Sequence, residues 1–301
     1  MQDTVVTVAS LPSLLIDPQR NLAQVTEACH QAQQEGARLV FLPELMLTGH
    51  GGHRLMADNA QPVPEGALCT AVRDLSCSLD LCICVGLAEL DRGIVYNSMV
   101  VLDRGQYLGR QRKVNLSGDE YVYFGTGDDL ALFDIGELRF GIVICYDNHF
   151  PELALLHSLR HVDLLLAPHA ARTGVWPETL TPEFCAQTIR RQQEEWAKVH
   201  RARAYDHNVF VLLNNAVGPS TEGLEGVVAN HAGTVMGVDP NGEVFLRTSA
   251  EAIEPEIVTV TLEADKKRRN HNVTRNRRPH ALFRMLERTL YQWIPDNSVR
   301  E

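Results

Sequence analysis

The chain has 301 residues, 45% of them hydrophobic and 22% charged, with a formal net charge of −10 and a pI of about 5.6. That is an ordinary globular composition with room for a sizeable core, and its acidic balance repels phosphate backbones, which argues against nucleic acid as a partner. The N-terminus shows no signal peptide, no apolar run approaches the ~18 residues of a membrane span, and the seven cysteines, spread through apolar segments, read as free thiols of a reducing compartment, the cytoplasm.

In chain order, Val5–Ala9 alternates as a strand. Asp17-Pro18 opens a helix, with Asp at the N-cap and Pro at the first helical position. Leu22, Val25, Cys29 and Ala32 share one face of that helix, and Gly36 stops it. Ala37–Leu42 reads as a buried strand ending in Pro43-Glu44. A helix is predicted from about Glu65 to Leu79 and a strand over Leu81–Ala88. Val95–Leu102 and Tyr107–Val114 pair across the turn Asp103-Arg104-Gly105, and Leu130–Ile135 pairs with Leu138–Cys145 across Gly136. A helix begins at Pro151, Val162–Pro168 is a strand, Pro182–His207 is a long helix charged on one face, and Val209–Asn215 is a strand. Gly233–Val238 and Val244–Arg247 flank the turn Asp239-Pro240-Asn241-Gly242, and Ile257–Leu262 is a strand. A basic, broken tail over Asp265–His280 precedes a last helix, Ala281–Trp293. No repeat, low-complexity segment or linker divides the chain, so one domain is expected over residues 1–301. Buried strands alternating with helices give an α/β layered fold, and the hairpin-like pairs make its sheets mixed.

Three of the predicted strands end in a side chain able to react: Glu44 in FLPELMLTG, Lys113 in GRQRKVNL and Cys145 in GIVICYDNHFPE. Singly, each has a plainer reading, as a solvated loop charge, a surface lysine and a small core residue. Together they make chemical sense. A thiol with a pKa near 8.5 is only a few per cent thiolate at neutral pH, so it needs a base. A glutamate whose own pKa is raised by burial can be that base. Attack on an amide carbonyl creates an oxyanion, which a lysine ammonium and a backbone N–H can hold. The helix starting at Pro151 adds the partial positive charge of its N-terminus.

The blocks FLPELMLTG, RKVNLSGDEYVYFGTGDD and GIVICYDNHFPE, in this order and spacing, resemble the nitrilase, or carbon–nitrogen hydrolase, superfamily. Weaker similarity runs from Val5 to about Leu262 through RARAYDHNVFVLLNNAVG and GTVMGVDPNGEV. The resemblance implies a four-layer α-β-β-α sandwich with two mixed sheets and a triad of Glu44, Lys113 and Cys145. It also implies a fourth residue, Glu120, from the E-x-x-Y-F piece Glu120–Phe124, holding the lysine and positioning substrate. The other reading of Glu120 is an exposed loop carboxylate beside Asp119 and Asp128. The backbone N–H of Tyr146 is the expected oxyanion donor. Tyr146-Asp147 after the cysteine, where true nitrilases tend to carry Trp-Glu, is similar to amidase- and carbamoylase-like members. The chain departs from the common Gly-Tyr pattern at Gly49-His50. His50, Asn148, His149, His169, Arg172 and Asn215 are candidate pocket residues. Asn215 and His169 read equally as satisfied turn residues, and Arg172 either as a surface residue or as a bidentate ligand for a substrate carboxylate. By the same resemblance, residues 265–301 form an extension used in subunit contacts, and a homodimer or larger homo-oligomer is expected.

Neither cofactor nor metal is expected, because the lysine and backbone N–H supply the charge the mechanism needs. Cys82-x-Cys84 places two thiols on one strand face without a zinc-spaced partner set, which favours core packing. His50 and His53 are too few to hold a metal. Gly125-Thr126-Gly127 lacks the Lys and Ser/Thr of a phosphate loop. Lys266, Lys267, Arg268, Arg269, Arg275, Arg277 and Arg278 read as surface or intersubunit ion-pair partners. The leading expectation is hydrolysis of a linear amide or N-carbamoyl small molecule through a cysteine thioester, with release of ammonia. Nitrile hydrolysis and acyl transfer to an amine use the same residues. A non-catalytic binding protein, or a thiol redox sensor resolving Cys145 with Cys185, are the alternatives of another class.

Overall fold

The structure is a computed structural model that describes residues 1–175, 180–224, 228–249, 254–269 and 280–293. The first half runs β1 (Thr4–Ser10), α1 (Pro18–Gln34), β2 (Leu39–Phe41), the single turn α2 (Leu55–Asp58), α3 (Ala67–Leu79), β3 (Cys82–Asp91), β4 (Ile94–Asp103), β5 (Gln106–Arg112) and a 3₁₀ turn at Gly118–Val122. The second runs β6 (Phe133–Ile135), β7 (Leu138–Ile142), a 3₁₀ turn at Cys145–His149, α4 (Pro151–Leu159), β8 (Leu164–His169), β9 (Arg172–Gly174), α5 (Pro182–His207), β10 (Phe210–Asn215), β11 (Val217–Pro219), β12 (Asn230–Ala232), β13 (Val235–Val238), β14 (Val244–Arg247), β15 (Glu256–Leu262), α6 (Ala264–Arg269) and α7 (His280–Trp293).

The capping chemistry read from the sequence is present. Asp17 accepts a hydrogen bond from the Arg20 N–H at the start of α1, at 2.9 Å, and Gly36 follows its end at φ +73°. Arg104-Gly105 turns β4 into β5 with both residues at positive φ. Arg92-Gly93, in a second Asp-Arg-Gly triplet, does the same between β3 and β4.

Two six-stranded sheets result, in the orders β15-β1-β2-β3-β4-β5 and β14-β13-β10-β8-β7-β6. Both are mixed: β1-β2-β3 and β7-β8-β10 pair in parallel, and antiparallel strands flank each trio. The period of two along the strands sorts the apolar side chains into layers. Val6, Val8, Leu39 and Phe41 of the first sheet meet Phe140, Ile142, Leu164 and Leu166 of the second in a buried central layer. The alternate residues Val40, Leu42 and Ile83 pack under Val25, Cys29, Leu68 and Val72 of α1 and α3. Leu165, Ala167, Val211 and Leu213 pack under Leu153, Ala154, Ala197 and Ala204 of α4 and α5. This is the four-layer α-β-β-α sandwich, and Cys82 and Cys84 both sit in its central layer. A small third sheet, β11-β12-β9, was not anticipated from the sequence. Its strands are three residues long, too short to show a period.

Three further boundaries differ from expectation. β2 and β6 are cut to three residues. β7 stops at Ile142, so Cys145 stands on a turn beyond the strand rather than at its last position. No described helix is long and apolar enough to cross a membrane. The seven cysteines are all free thiols. In the C-terminal segment Lys266 pairs with Asp239 and Glu263, and Lys267 with Asp163. Arg275, Arg277 and Arg278 lie outside the described residues.

Candidate active site

Glu44 leaves β2 through Pro43 in a sharp turn, with Leu45 at φ +50°. The turn lies directly on Gly86 of β3. Gly86 N–H donates to Pro43 O at 3.2 Å, and Leu47 N–H donates to Gly86 O at 2.9 Å. A Cβ on residue 86 would stand 2.3 Å from Leu45 N, so glycine is what lets the turn seat. Lys113 follows β5 immediately, its N–H donating to Asn97 O of β4 at 2.8 Å. Glu120 belongs to the 3₁₀ turn Gly118–Val122. Ser117 caps this turn, with its N–H and hydroxyl both donating to Glu120 Oε2 at 2.8 Å.

Cys145 opens its own 3₁₀ turn at φ +47°, a conformation that costs a non-glycine residue energy and persists only where its surroundings impose it. Here they do. The Asn148 side-chain amide donates to Val143 O at 2.8 Å and Cys145 O at 2.9 Å. The buried Asp147 carboxylate accepts from Asn115 N–H at 2.6 Å, from Asn115 Nδ2 at 2.9 Å and from Val114 N–H at 3.3 Å. The cysteine turn is thereby tied to the lysine loop.

These elements bring Glu44, Lys113, Glu120 and Cys145 to one cavity. Lys113 Nζ donates to Glu44 Oε1 at 2.8 Å and to Glu120 at 2.9 Å (Oε1) and 2.7 Å (Oε2). Asn97 Nδ2 joins the same two carboxylates, at 2.7 and 3.0 Å. Glu44, Lys113 and Glu120 are buried, whereas Cys145 is half-buried. Glu44 Oε2 is a buried oxygen with no hydrogen-bond partner. The exposed-loop reading of Glu120 is thus excluded. The Ser-x-x-Glu spacing of a capping box is visible in the sequence, whereas a contact between Glu120 and Lys113 was expected from the resemblance alone.

Burial raises the Glu44 pKa above the usual carboxylate value, and the charge of Glu120 adds to it against the pull of Lys113. Burial also pushes Glu120 up, but Lys113 and the Ser117 N–H outweigh it and hold Glu120 below the ordinary value. Burial alone would lower Lys113; the charge of Cys145, once that thiol is ionised, and those of Glu44 and Glu120 reverse this and keep it an ammonium. The Cys145 thiol is pushed up by burial and then by Glu44, with Lys113 and the Ala170 backbone opposing. The resting site therefore holds a protonated thiol, an ammonium, an ionised Glu120 and a carboxyl poised to exchange protons.

The cavity has a volume of about 290 Å³. Its walls include Tyr146, His50, His149, His169 and Arg172 from the sequence reading. His50 and His169 are buried, and burial lowers both, His50 to about 4. The His169 and Trp196 rings pack with centroids 5.0 Å apart, tilted by 48°. Arg172 pairs with Asp119 at 3.2 and 3.3 Å. Two candidates do not line the cavity. Asn148 holds the cysteine turn, as above. Asn215 spends its amide on the Ala171 N–H and on the Ala171 and Ala216 carbonyls, supporting a wall without facing it. His53 accepts the Leu55 N–H beside α2, and among the described residues no three His, Cys, Asp or Glu side chains gather as a metal-binding group. Sequence reasoning missed Asn97, Ser117 and Asp119, and also the face of α5 that carries Gln192, Glu195, Trp196 and Val199. That i, i+3, i+4, i+7 spacing is visible in the sequence, but nothing there says what it faces.

A family model described as carbon-nitrogen hydrolase matches residues 5–269. A protein of Pyrococcus abyssi named nitrilase is 33% identical over 157 residues, which span 51% of this chain and 60% of that protein. Human omega-amidase NIT2 is 29% identical over 241 residues, 75% of this chain and 79% of its own length. Among solved structures, Saccharomyces cerevisiae Nit3 superposes with a TM-score of 0.75 at 21% identity, covering 89% of this chain and 93% of its own. An amidase from Nesterenkonia sp. AN1 does so at 0.71 and 21%, covering 94% and 97%.

Proposed function

Since the chain belongs to the carbon–nitrogen hydrolase family, we propose that it hydrolyses the C–N bond of a small linear amide or N-carbamoyl compound through a thioester on Cys145. The observation that carries this reading is the buried Glu44–Lys113–Glu120 cluster meeting the half-buried Cys145 thiol in one cavity. Glu44, raised by burial, takes the thiol proton as sulfur adds to the carbonyl carbon, and gives it to the departing nitrogen. Lys113 and the Tyr146 N–H hold the oxyanion. Ammonia leaves. Glu44 then draws a proton from water, whose oxygen attacks the thioester, and the thiol recovers its proton as the acid departs. Glu120 and Asn97 fix the lysine and the base relative to each other. No step calls on a cofactor or metal, so activity should survive exhaustive EDTA treatment.

The amide branch is supported by Tyr146-Asp147 after the cysteine and by the similarity to proteins named omega-amidase and (R)-stereoselective amidase. The reading includes residues 1–301 as one cytoplasmic hydrolase domain that forms a homo-oligomer, with α7 as a subunit contact. Leu282, Met285, Leu286 and Leu290 of α7 are exposed large apolar side chains in the single chain. The test is ammonia release from a panel of amides, ureido compounds and nitriles, with mass spectrometry of the trapped adduct. An acyl adduct on Cys145 from an amide supports the reading. Ready turnover of nitriles, with every amide and carbamoyl compound ignored, would overturn the branch while leaving Cys145 in place.

A further inference from the structure

One wall of the cavity bears on the end group a substrate carries. Gln192, Glu195, Trp196 and Val199 of α5 all line it, one helix face spaced i, i+3, i+4, i+7. Gln192 Nε2 donates to Arg172 O at 3.1 Å, and because a carbonyl can only accept, this fixes which way the amide points. Its Oε1 is left as a buried acceptor with no partner. Three residues on, Glu195 is exposed at the cavity and has no ion pair or hydrogen bond among the described residues. Between and beside them lies the half-buried Trp196 ring, whose π-face attracts cations.

Both cations of the lining already face carboxylates. The Arg172 guanidinium is on Asp119, and the Lys113 ammonium is shared between Glu44 and Glu120. The lining thus carries four carboxylates, Glu44, Asp119, Glu120 and Glu195, against the two cations Lys113 and Arg172. A buried acceptor without a donor is costly, and a ligand that supplies donors and positive charge removes that cost.

We propose that Gln192 and Glu195 form a subsite for an ammonium or guanidinium group at the end of the substrate remote from the scissile amide. The substrate class is then a short linear carboxamide or ureido compound with a cationic terminus. This rests on the amide-hydrolase reading above and narrows it. It runs against a carboxylate bound by Arg172, whose charge is already paired with Asp119 through Nη2.

The experiment measures kcat/KM by ammonia release for three amides of similar length: cationic 4-aminobutanamide, neutral pentanamide and anionic succinamate. The wild-type chain is compared with Glu195→Gln, Glu195→Asp and Gln192→Leu. The expected result is at least a tenfold preference for the cationic amide over the neutral one, weakening as salt is raised. That ratio should collapse several-fold in Glu195→Gln and in Gln192→Leu, and be partly kept in Glu195→Asp. A wild-type preference for the neutral or anionic amide, or a ratio unmoved by Glu195→Gln, overturns the subsite and leaves amide hydrolysis standing. No turnover of any amide, with no acyl adduct on Cys145, overturns the amide-hydrolase reading and the subsite with it.

Discussion

At the scale of single residues, the site divides chemical from supporting work. Cys145 is the half-buried member of the set, and its strained φ is sustained by the hydrogen bonds of Asn148 and Asp147 to the surrounding backbone. Cys145→Ala should therefore abolish ammonia release while leaving thermal unfolding unchanged or slightly improved. Cys145→Ser should be nearly as inactive, because a hydroxyl is far harder to deprotonate than a thiol. Any substantial turnover by the alanine variant would remove Cys145 from the mechanism. Glu44 must be ionised to accept a proton, and its pKa is raised. The acid limb of kcat/KM should accordingly lie above the usual carboxylate range and rise with pH through it. A limb at the ordinary glutamate value would contradict the burial argument. Lys113→Ala should cost about a hundredfold or more in kcat, the scale of losing one oxyanion donor. Glu120→Ala leaves Lys113 with Glu44 as its one carboxylate partner, so it should lower kcat and also disturb the pH profile. Full activity in that variant would deny Glu120 its role.

At the scale of elements, the site depends on how closely backbones approach. Gly86, in the middle of β3, touches no substrate, yet the turn bearing Glu44 rests on its Cα. Gly86→Ala would drive a methyl group to within 2.3 Å of Leu45 N and 2.6 Å of Pro43 O. Backbone atoms cannot yield as the tip of a flexible side chain can. We expect destabilisation of about 1–3 kcal/mol, the range for overpacking. We also expect a drop in kcat out of proportion to the loss of folded protein, because Glu44 is displaced from Lys113. Urea unfolding and titration of active sites with a thiol-directed substrate analogue separate the two effects. Normal kcat per folded site would mean that the turn accommodates the methyl group.

At the scale of the whole molecule, pH should act first through stability. His50, His157, His169, His200 and His231 are buried, and burial lowers all five, to about 4 for His50 and His157, about 3 for His200 and His231, and well below the ordinary value for His169. Below pH 6.5 the unfolded chain takes up protons at these positions and the folded chain does not. The stability they contribute is therefore complete above 6.5 and is lost as pH falls toward their folded values. Each can cost up to about 1.4 kcal/mol per pH unit in that window. Asp147 works in the opposite sense. Burial raises it to about 6, so the folded state holds its proton between that value and the ordinary one, and gains stability as pH falls. Glu44 and Glu256, also raised by burial, act with Asp147, and the five histidines outweigh these three. The urea midpoint should be markedly lower at pH 5 than at pH 7.5, and an equal or higher midpoint at pH 5 would contradict the assignment of neutral buried histidines. The proposed oligomer belongs to this scale too. Leu286→Lys, on the exposed face of α7, should shift sedimentation toward the monomer, and an unchanged distribution would place the contact elsewhere.

The sequence by itself determined the parts of this protein that depend on local chemistry and short periods. The helix caps at Asp17 and Gly36, the hairpin at Arg104-Gly105, the alternation that splits β1 between two faces, and the association of Glu44, Lys113 and Cys145 with strand ends were legible there. A cap or a turn involves residues within four positions of one another, and a strand's faces follow from a period of two. Only the tertiary structure decided which chemistry-bearing residues meet. Asn97 lies 53 residues from Glu44, and the two share a hydrogen bond because β3 and β4 run past β2 in one sheet. Asn215 had the composition of a pocket residue but faces backbone, whereas Gln192 and Glu195 looked like an ordinary charged helix face and line the cavity. A side chain's chemistry is local, but its direction is set by packing between segments tens to hundreds of residues apart, and no short spacing encodes that.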